Sequence, residues 1–185
     1  MTQKEHALLE TLDEILRSEE IRTQVSPIVE RIRAELARTP GALMTWEPLP
    51  LELFGDQLPE TIRSAWVFVL RAGADTGAER HPNSHQRMVT FAGTGDMKID
   101  AKGIPNEVDV ESEILWHSHV LVSDPNAPLE NRWISIPKNI WHRPVIPAGD
   151  NWIVVSFHTV PAAELIEERP GAKQMLYEAE RKRSD

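Results

Sequence analysis

The sequence has no cysteine, which excludes disulfides, thiolate nucleophiles and cysteine-ligated zinc sites. It has no apolar run approaching the length of a membrane span, and its N-terminus, polar from Thr2 to His6, lacks the apolar stretch of a signal peptide. It also lacks a basic block: 20 Lys and Arg against 29 Asp and Glu leave a net charge of −9. A field of that sign opposes nucleic acid and anionic membrane as partners. The short basic end, Glu180-Arg181-Lys182-Arg183, is read as complementing the carbonyl end of a last helix. There is no internal repeat, no low-complexity tract and no G-x-S-x-G elbow. Phe91-Ala92-Gly93-Thr94-Gly95-Asp96 has two close glycines but connects strands, without the helix that a phosphate-binding loop requires. By default these absences leave a cytoplasmic protein whose expected partner is a small molecule.

What remains is the composition of a soluble globular chain of 185 residues, 41% hydrophobic and 26% charged. Its period changes along its length. Thr2 and Glu5 form a capping box, after which Leu8, Leu9, Leu12, Ile15 and Leu16 recur at helical spacing. A second helix is predicted from Ser26 as N-cap with Pro27 at its first position, carrying Ile28, Val29, Ile32 and Leu36 and ending at Pro40-Gly41. Residues 1–41 are thus a helical N-terminal arm, whose stripes need a partner in the barrel or in another subunit. Residues 42–63, punctuated by Pro48, Pro50, Gly55 and Pro59, read as an ordered connection.

From Ser64 the period becomes two. Strands are predicted at 64–72, 86–91, 96–101, 114–122, 132–136 and 152–160, with Gly and Pro turns between them. Residues 64–160 therefore form a sandwich or barrel. Residues 161–185 return to helix as a C-terminal tail, with Glu164, Glu167 and Glu168 on a solvated face.

Six of the seven histidines lie in the β region, and imidazole is the commonest protein metal ligand. The densest group is Glu79-Arg80-His81-Pro82-Asn83-Ser84-His85-Gln86. Pro82-Asn83-Ser84 makes a turn, so His81 and His85 do not share a helix face. In extended chain Glu79 and His81 share one face. After the turn Gln86, Met88 and Thr90 share a face, and His85, Arg87, Val89 and Phe91 the opposite one. Farther on, Ile136-Pro137-Lys138-Asn139-Ile140-Trp141-His142 delivers a histidine from a turn to the start of a strand. His117 and His119 share a strand face and form a competing chelating pair, read as barrel wall or subunit contact. His158 alternates with Val154 and Val160, as an interior or interface histidine with a hydrogen-bond partner does.

Two of these segments resemble the cupin family. Gly73, five residues, Glu79-x-His81, four residues, Gln86, six residues and Gly93 follow its first motif, G-x5-H-x-H, three or four residues, E-x6-G. Pro137-x-Asn139-x2-His142 follows its second, P-x-G-x2-H. Glu79 stands where the family has a histidine, Gln86 where it has a glutamate, and Asn139 where it has a glycine. The resemblance implies a mainly β fold, a double-stranded β-helix (cupin jelly-roll) barrel plus terminal helices. It implies His81 and His142 as metal ligands, with Glu79 and Gln86 as substituted ones. Two imidazoles and a carboxylate are the ligand types of a non-haem iron site, so Fe(II), otherwise Mn, Ni or Zn, is the expected cofactor. Trp141, Met88 and His85 are the expected substrate contacts. The implied activity is that of a dioxygenase-type enzyme on a small organic substrate. The alternatives are a metal-free binding or structural cupin, or a metal-independent isomerase or epimerase. Exposed barrel edges and the helical arm point to a homodimer.

Overall fold

The computed structural model describes residues 1–102, 114–171 and 175–176. Helix α1 covers Gln3–Arg17 and α2 covers Glu19–Arg38. Thr2 caps α1, accepting the Glu5 N–H at 3.2 Å. The second helix starts seven residues before the expected cap. Ser18 ends α1 and caps α2 in one residue, its N–H donating to the Ile15 carbonyl and its hydroxyl accepting the Ile21 N–H. Pro27 therefore lies inside α2, and the Ser26 hydroxyl donates back to the Arg22 carbonyl rather than capping anything. The apolar stripe from Ile21 through Val25 and Val29 to Leu36 runs unbroken past Pro27. Burial of that stripe outweighs the single ladder bond a proline removes.

The strands are β1 Met44–Leu49, β2 Ser64–Leu70, β3 Gln86–Ala92, β4 Thr94–Asp100, β5 Trp116–His117, β6 Val120–Val122, β7 Trp133–Ile136, β8 His142–Val145, β9 Trp152–His158, β10 Ile166–Glu167 and β11 Met175–Leu176. One sheet has the order β1-β2-β9-β3-β7, all antiparallel. In the second, β4 pairs with β5, β6 and β8. The mainly β architecture expected from the sequence is the one present, as two facing antiparallel sheets.

Two differences are physical. The 42–63 connection holds β1, a strand despite Pro48, because it is an edge strand that pairs with β2 alone among the described strands. The expected C-terminal helix is replaced, within the described residues, by a short 3-10 turn at Ala162–Glu164 and the β10–β11 pair. Glu167 and Glu168 are buried there, not on a solvated helix face. The basic end lies outside the described residues. No described helix is long and apolar enough to cross a membrane.

The near-continuous apolar runs of β2 and β9 follow from burial on both faces. Val67, Val69, Ile153, Val155 and Phe157 pack with Leu9, Leu12, Val25, Val29 and Ile32 of the helices in one core. Leu70, Trp152 and Val154 meet Met97 and Leu121 of the second sheet and Ile146 just after β8 in another. The helical stripes thus find their partner on the outer face of the first sheet. The Glu5 side chain pairs with Arg87 at 2.7 Å and accepts from Ser135 rather than reaching back to Thr2, and Asp13 accepts from Arg132 and from the Trp133 indole at 2.8 Å.

Gly95, expected in a turn, sits inside β4 opposite Leu121. A β-carbon there would fall within the indole of Trp152, whose N–H donates to Thr90 Oγ1 at 3.0 Å. Gly95→Ala is expected to cost about 1–3 kcal/mol through overpacking. A thermal melt with an unchanged midpoint would contradict this packing.

Candidate metal centre

Residues 79–81 are an extended segment bonded on both sides. Glu79 and His142 exchange both backbone hydrogen bonds at 2.8 Å, and Arg80 and Glu168 exchange theirs at 3.0 Å. The His81 carbonyl accepts the Asn139 N–H at 2.9 Å, which ties the two motif segments together. Asn139 has φ 65°, the left-handed conformation that asparagine tolerates better than most residues. The substitution for the family's glycine therefore keeps the turn.

With period two, Glu79 and His81 point the same way and His142 joins them. Ligand atoms of the three lie within 4.8 Å of one another, so the group could hold a metal ion. His81 Nδ1 donates to the Ile166 carbonyl at 3.0 Å, and His142 Nδ1 to the Ile140 carbonyl at 3.1 Å. Each bond fixes a tautomer that leaves Nε2 unprotonated. His142 Nε2 is buried, 3.4 Å from Glu79 Oε1, and makes no hydrogen bond among the described residues. A buried acceptor left without a donor is costly in a metal-free fold and is what a ligand position requires. The residues fit a divalent ion.

Burial pushes the Glu79 carboxyl up, but the His142 imidazole beside it, then Arg169 and His81, outweigh it and bring it to about 2. Arg169 donates to Glu79 Oε2 at 3.2 Å and lies 2.8 Å from Glu167 Oε1. Burial, then the neighbouring His142, bring His81 down to about 4. In the metal-free chain an unfolded imidazole takes its proton near 6.5, so the unfolded state binds more protons between that pH and 4. Stability supplied by neutral His81 is lost as pH falls through this window, and Glu79 adds a loss of the same sign between 4.5 and 2. Thermal midpoints of the metal-free protein are expected to fall continuously below pH 6.5. A flat profile down to pH 4.5 would contradict this.

Gln86 is buried and lines a narrow cavity of about 20 Å³ with Glu79, Met88, Met97, Phe68 and Trp152. Its Nε2 donates to Ser156 Oγ at 3.3 Å, while Oε1 makes no hydrogen bond among the described residues. Ser156 Oγ is 2.8 Å from His158 Nε2, and Ser84 Oγ is 3.2 Å from His158 Nδ1. Both nitrogens of His158 are thereby occupied, and its ring lies 5.0 Å from that of His81. The interior reading of His158 from its alternation thus matches its position, and burial holds its pKa well below the ordinary value, with His81 and His142 adding to the effect.

The other expected contacts divide. Met88 lines the cavity beside Glu79. His85 does not: its Nε2 is 2.7 Å from Ser135 Oγ and 3.6 Å from Glu5 of α1, on the Arg87 face that alternation assigns it. Trp141 is buried beneath the Arg80 guanidinium, 4.5 Å from its ring centroid, and is absent from the cavity lining. His117 and His119 lie 4.9 Å apart, ring to ring, and are exposed. They belong to the outer surface of the second sheet rather than to a wall. The sequence reading missed Arg169, Glu167 and the Ile166 carbonyl, because Glu164, Glu167 and Glu168 fit helical spacing. The signal available was the alternation Leu165, Glu167, Arg169 after Pro161.

No protein-family model and no curated protein matches the sequence. Solved structures do overlay it. Recombinant oxalate oxidase in complex with glycolate gives a TM-score of 0.46 at 13% identity, over 66% of this chain and 53% of that one. KdgF from Halomonas sp. gives 0.43 at 10%, over 66% and 85%. The Cupin_2 domain of an XRE family transcriptional regulator from Enterobacter cloacae gives 0.40 at 15%, over 65% and 99%. The last of these is itself described as a cupin domain. The chain spans about half the length of the oxalate oxidase it overlays.

Proposed function

We propose that the protein is a metal-dependent cupin-type enzyme, a dioxygenase acting on a small organic molecule. Glu79, His81 and His142 hold a divalent ion, Fe(II) first and Mn, Ni or Zn otherwise. The observation that carries this reading is the pair of imidazoles with Nδ1 locked to main-chain carbonyls and Nε2 of His142 unpaired beside a carboxylate. The ion would supply Lewis acidity and, as iron, redox chemistry toward oxygen. The chain's own residues do the rest. Arg169 holds one oxygen of Glu79 and leaves the other toward His142, and Gln86 Oε1 offers a neutral oxygen to the ion or to substrate.

The interior beside this group is apolar and has room for about one water molecule. Substrate must therefore displace side chains, and Met44, Met88 and Met97 are the flexible ones in that wall. The same narrowness favours a second reading, a metal-free cupin that binds a small molecule or serves structurally, with Gln86 facing apolar neighbours.

One measurement separates them: the metal content of protein purified without added metal, then after reconstitution. Near-stoichiometric iron or another divalent ion supports the enzyme. Less than about a tenth of an ion per chain with no gain on reconstitution leaves the metal-free reading. We also propose a homodimer. It rests now on open sheet edges alone, since α1 and α2 bury their stripes within the chain. A monomeric mass in solution would refute it.

A further inference from the structure

We propose that the junction between the helices and the outer face of the first sheet is a second binding site, for a small organic anion carrying one carboxylate or phosphate on a compact apolar body. A cavity of about 220 Å³ opens there, between the α1–α2 corner, β3 and the loop after β6. It is smaller than the roughly 300–1,000 Å³ of pockets that take drug-sized ligands, and larger than the space beside Glu79.

Its floor is electrically closed. Asp13 spends both oxygens on Arg132 and the Trp133 indole, and Arg132 Nε donates to the Ala127 carbonyl at 3.1 Å. Its rim is not. Arg17, half exposed, approaches Asp13 only at 3.5 Å. Arg22 lies over the Phe91 ring at 5.0 Å from its centroid and has no ion pair among the described residues. A guanidinium stacked this way keeps its N–H edge for an acceptor.

One lining hydroxyl is consistent with the same ligand. The Ser123 hydroxyl makes no hydrogen bond among the described residues. The one lining carboxylate, Asp13, is engaged, so the positive charge of the rim is left without a carboxylate partner among the lining side chains. In a chain of net charge −9 this local reversal selects an anion, and an Arg–carboxylate or Arg–phosphate pair is directional as well as strong. Leu16, Val89, Phe91 and Pro125 supply the apolar remainder of the lining. The site gives the helices a role distinct from covering the sheet.

Calorimetric titration of the full chain with benzoate, inorganic phosphate and benzyl alcohol tests the proposal. Benzoate is expected to bind, phosphate more weakly, and the uncharged alcohol not at all. Arg22→Gln, a change at an exposed position whose intact fold circular dichroism should confirm, should weaken benzoate by about tenfold or more, while Glu79→Gln should leave it unchanged. No benzoate binding at about 10 mM would overturn the site. So would binding that survives Arg22→Gln or that disappears in Glu79→Gln, which would place the ligand between the sheets instead.

Discussion

Protein carrying His142→Ala is expected to lose its metal while remaining folded. His142 supplies the one buried nitrogen of the cluster that has no hydrogen-bond partner among the described residues. Loss of a residue that merely orients a ligand costs about 10–100-fold in affinity, and loss of the ligand itself should cost at least as much. Stability should change little by comparison, because truncation creates a cavity but also removes an unpaired buried acceptor. A cost of about 1–2 kcal/mol lowers the melting midpoint of a chain this size by roughly 2–8 °C. His142→Gln keeps volume and a donor for the Ile140 carbonyl, and so guards against an unfolded alanine variant. Metal content by elemental analysis, read beside a thermal melt, checks both halves. Undiminished metal in either folded variant would remove His142 from the ligand set.

The second large effect is on stability and lies outside that centre. Asp13→Ala leaves the Arg132 guanidinium and the Trp133 indole N–H buried without their acceptor. Breaking one side of a buried ion pair typically costs about 3–5 kcal/mol, which is roughly 6–20 °C in midpoint here. Replacing both partners, as in Asp13→Ala with Arg132→Leu, should recover part of the loss, because no charge is then stranded. Equal or additive losses in single and double variants would show that the pair contributes through packing alone. Asp13 reaches the sheet from the middle of α1, so a large loss would also show that the helices fold as part of the same unit.

How far the sequence reveals this molecule depends on which force acts at each place. Burial is legible: the stripes of α1 and α2 and the runs of β2, β3 and β9 appear where periodicity places them. Even the split of β3 into Gln86 and Met88 facing one way and Arg87 and Val89 the other could be read. Punctuation is less so. Pro27 marks the start of a helix only if no apolar stripe continues through it, and Pro48 breaks a strand only if its N–H is needed by a partner.

The candidate centre was half visible for a similar reason. Glu79, His81 and His142 lie on local motifs whose spacing survives substitution. Arg169 and the Ile166 carbonyl act across 85 or more residues of sequence, and main-chain carbonyls leave no trace in residue identity. His85 differs: it adjoins the motif in sequence, but alternation puts it on the face opposite Gln86, and that face meets Glu5 of α1.

The position of β9 has a consequence for biosynthesis. It lies between β2 and β3 at the centre of the first sheet, yet its residues are translated long after theirs. Until residue 158 has left the ribosome, β2 and β3 each present an unpaired inner edge to the surroundings. His81 and Glu79 wait longer still, for the Ile166 carbonyl and the Arg169 guanidinium. The second contacts of the centre therefore form only after residue 169 has emerged. Nascent chains stalled short of β9 should be the ones that need protection from aggregation.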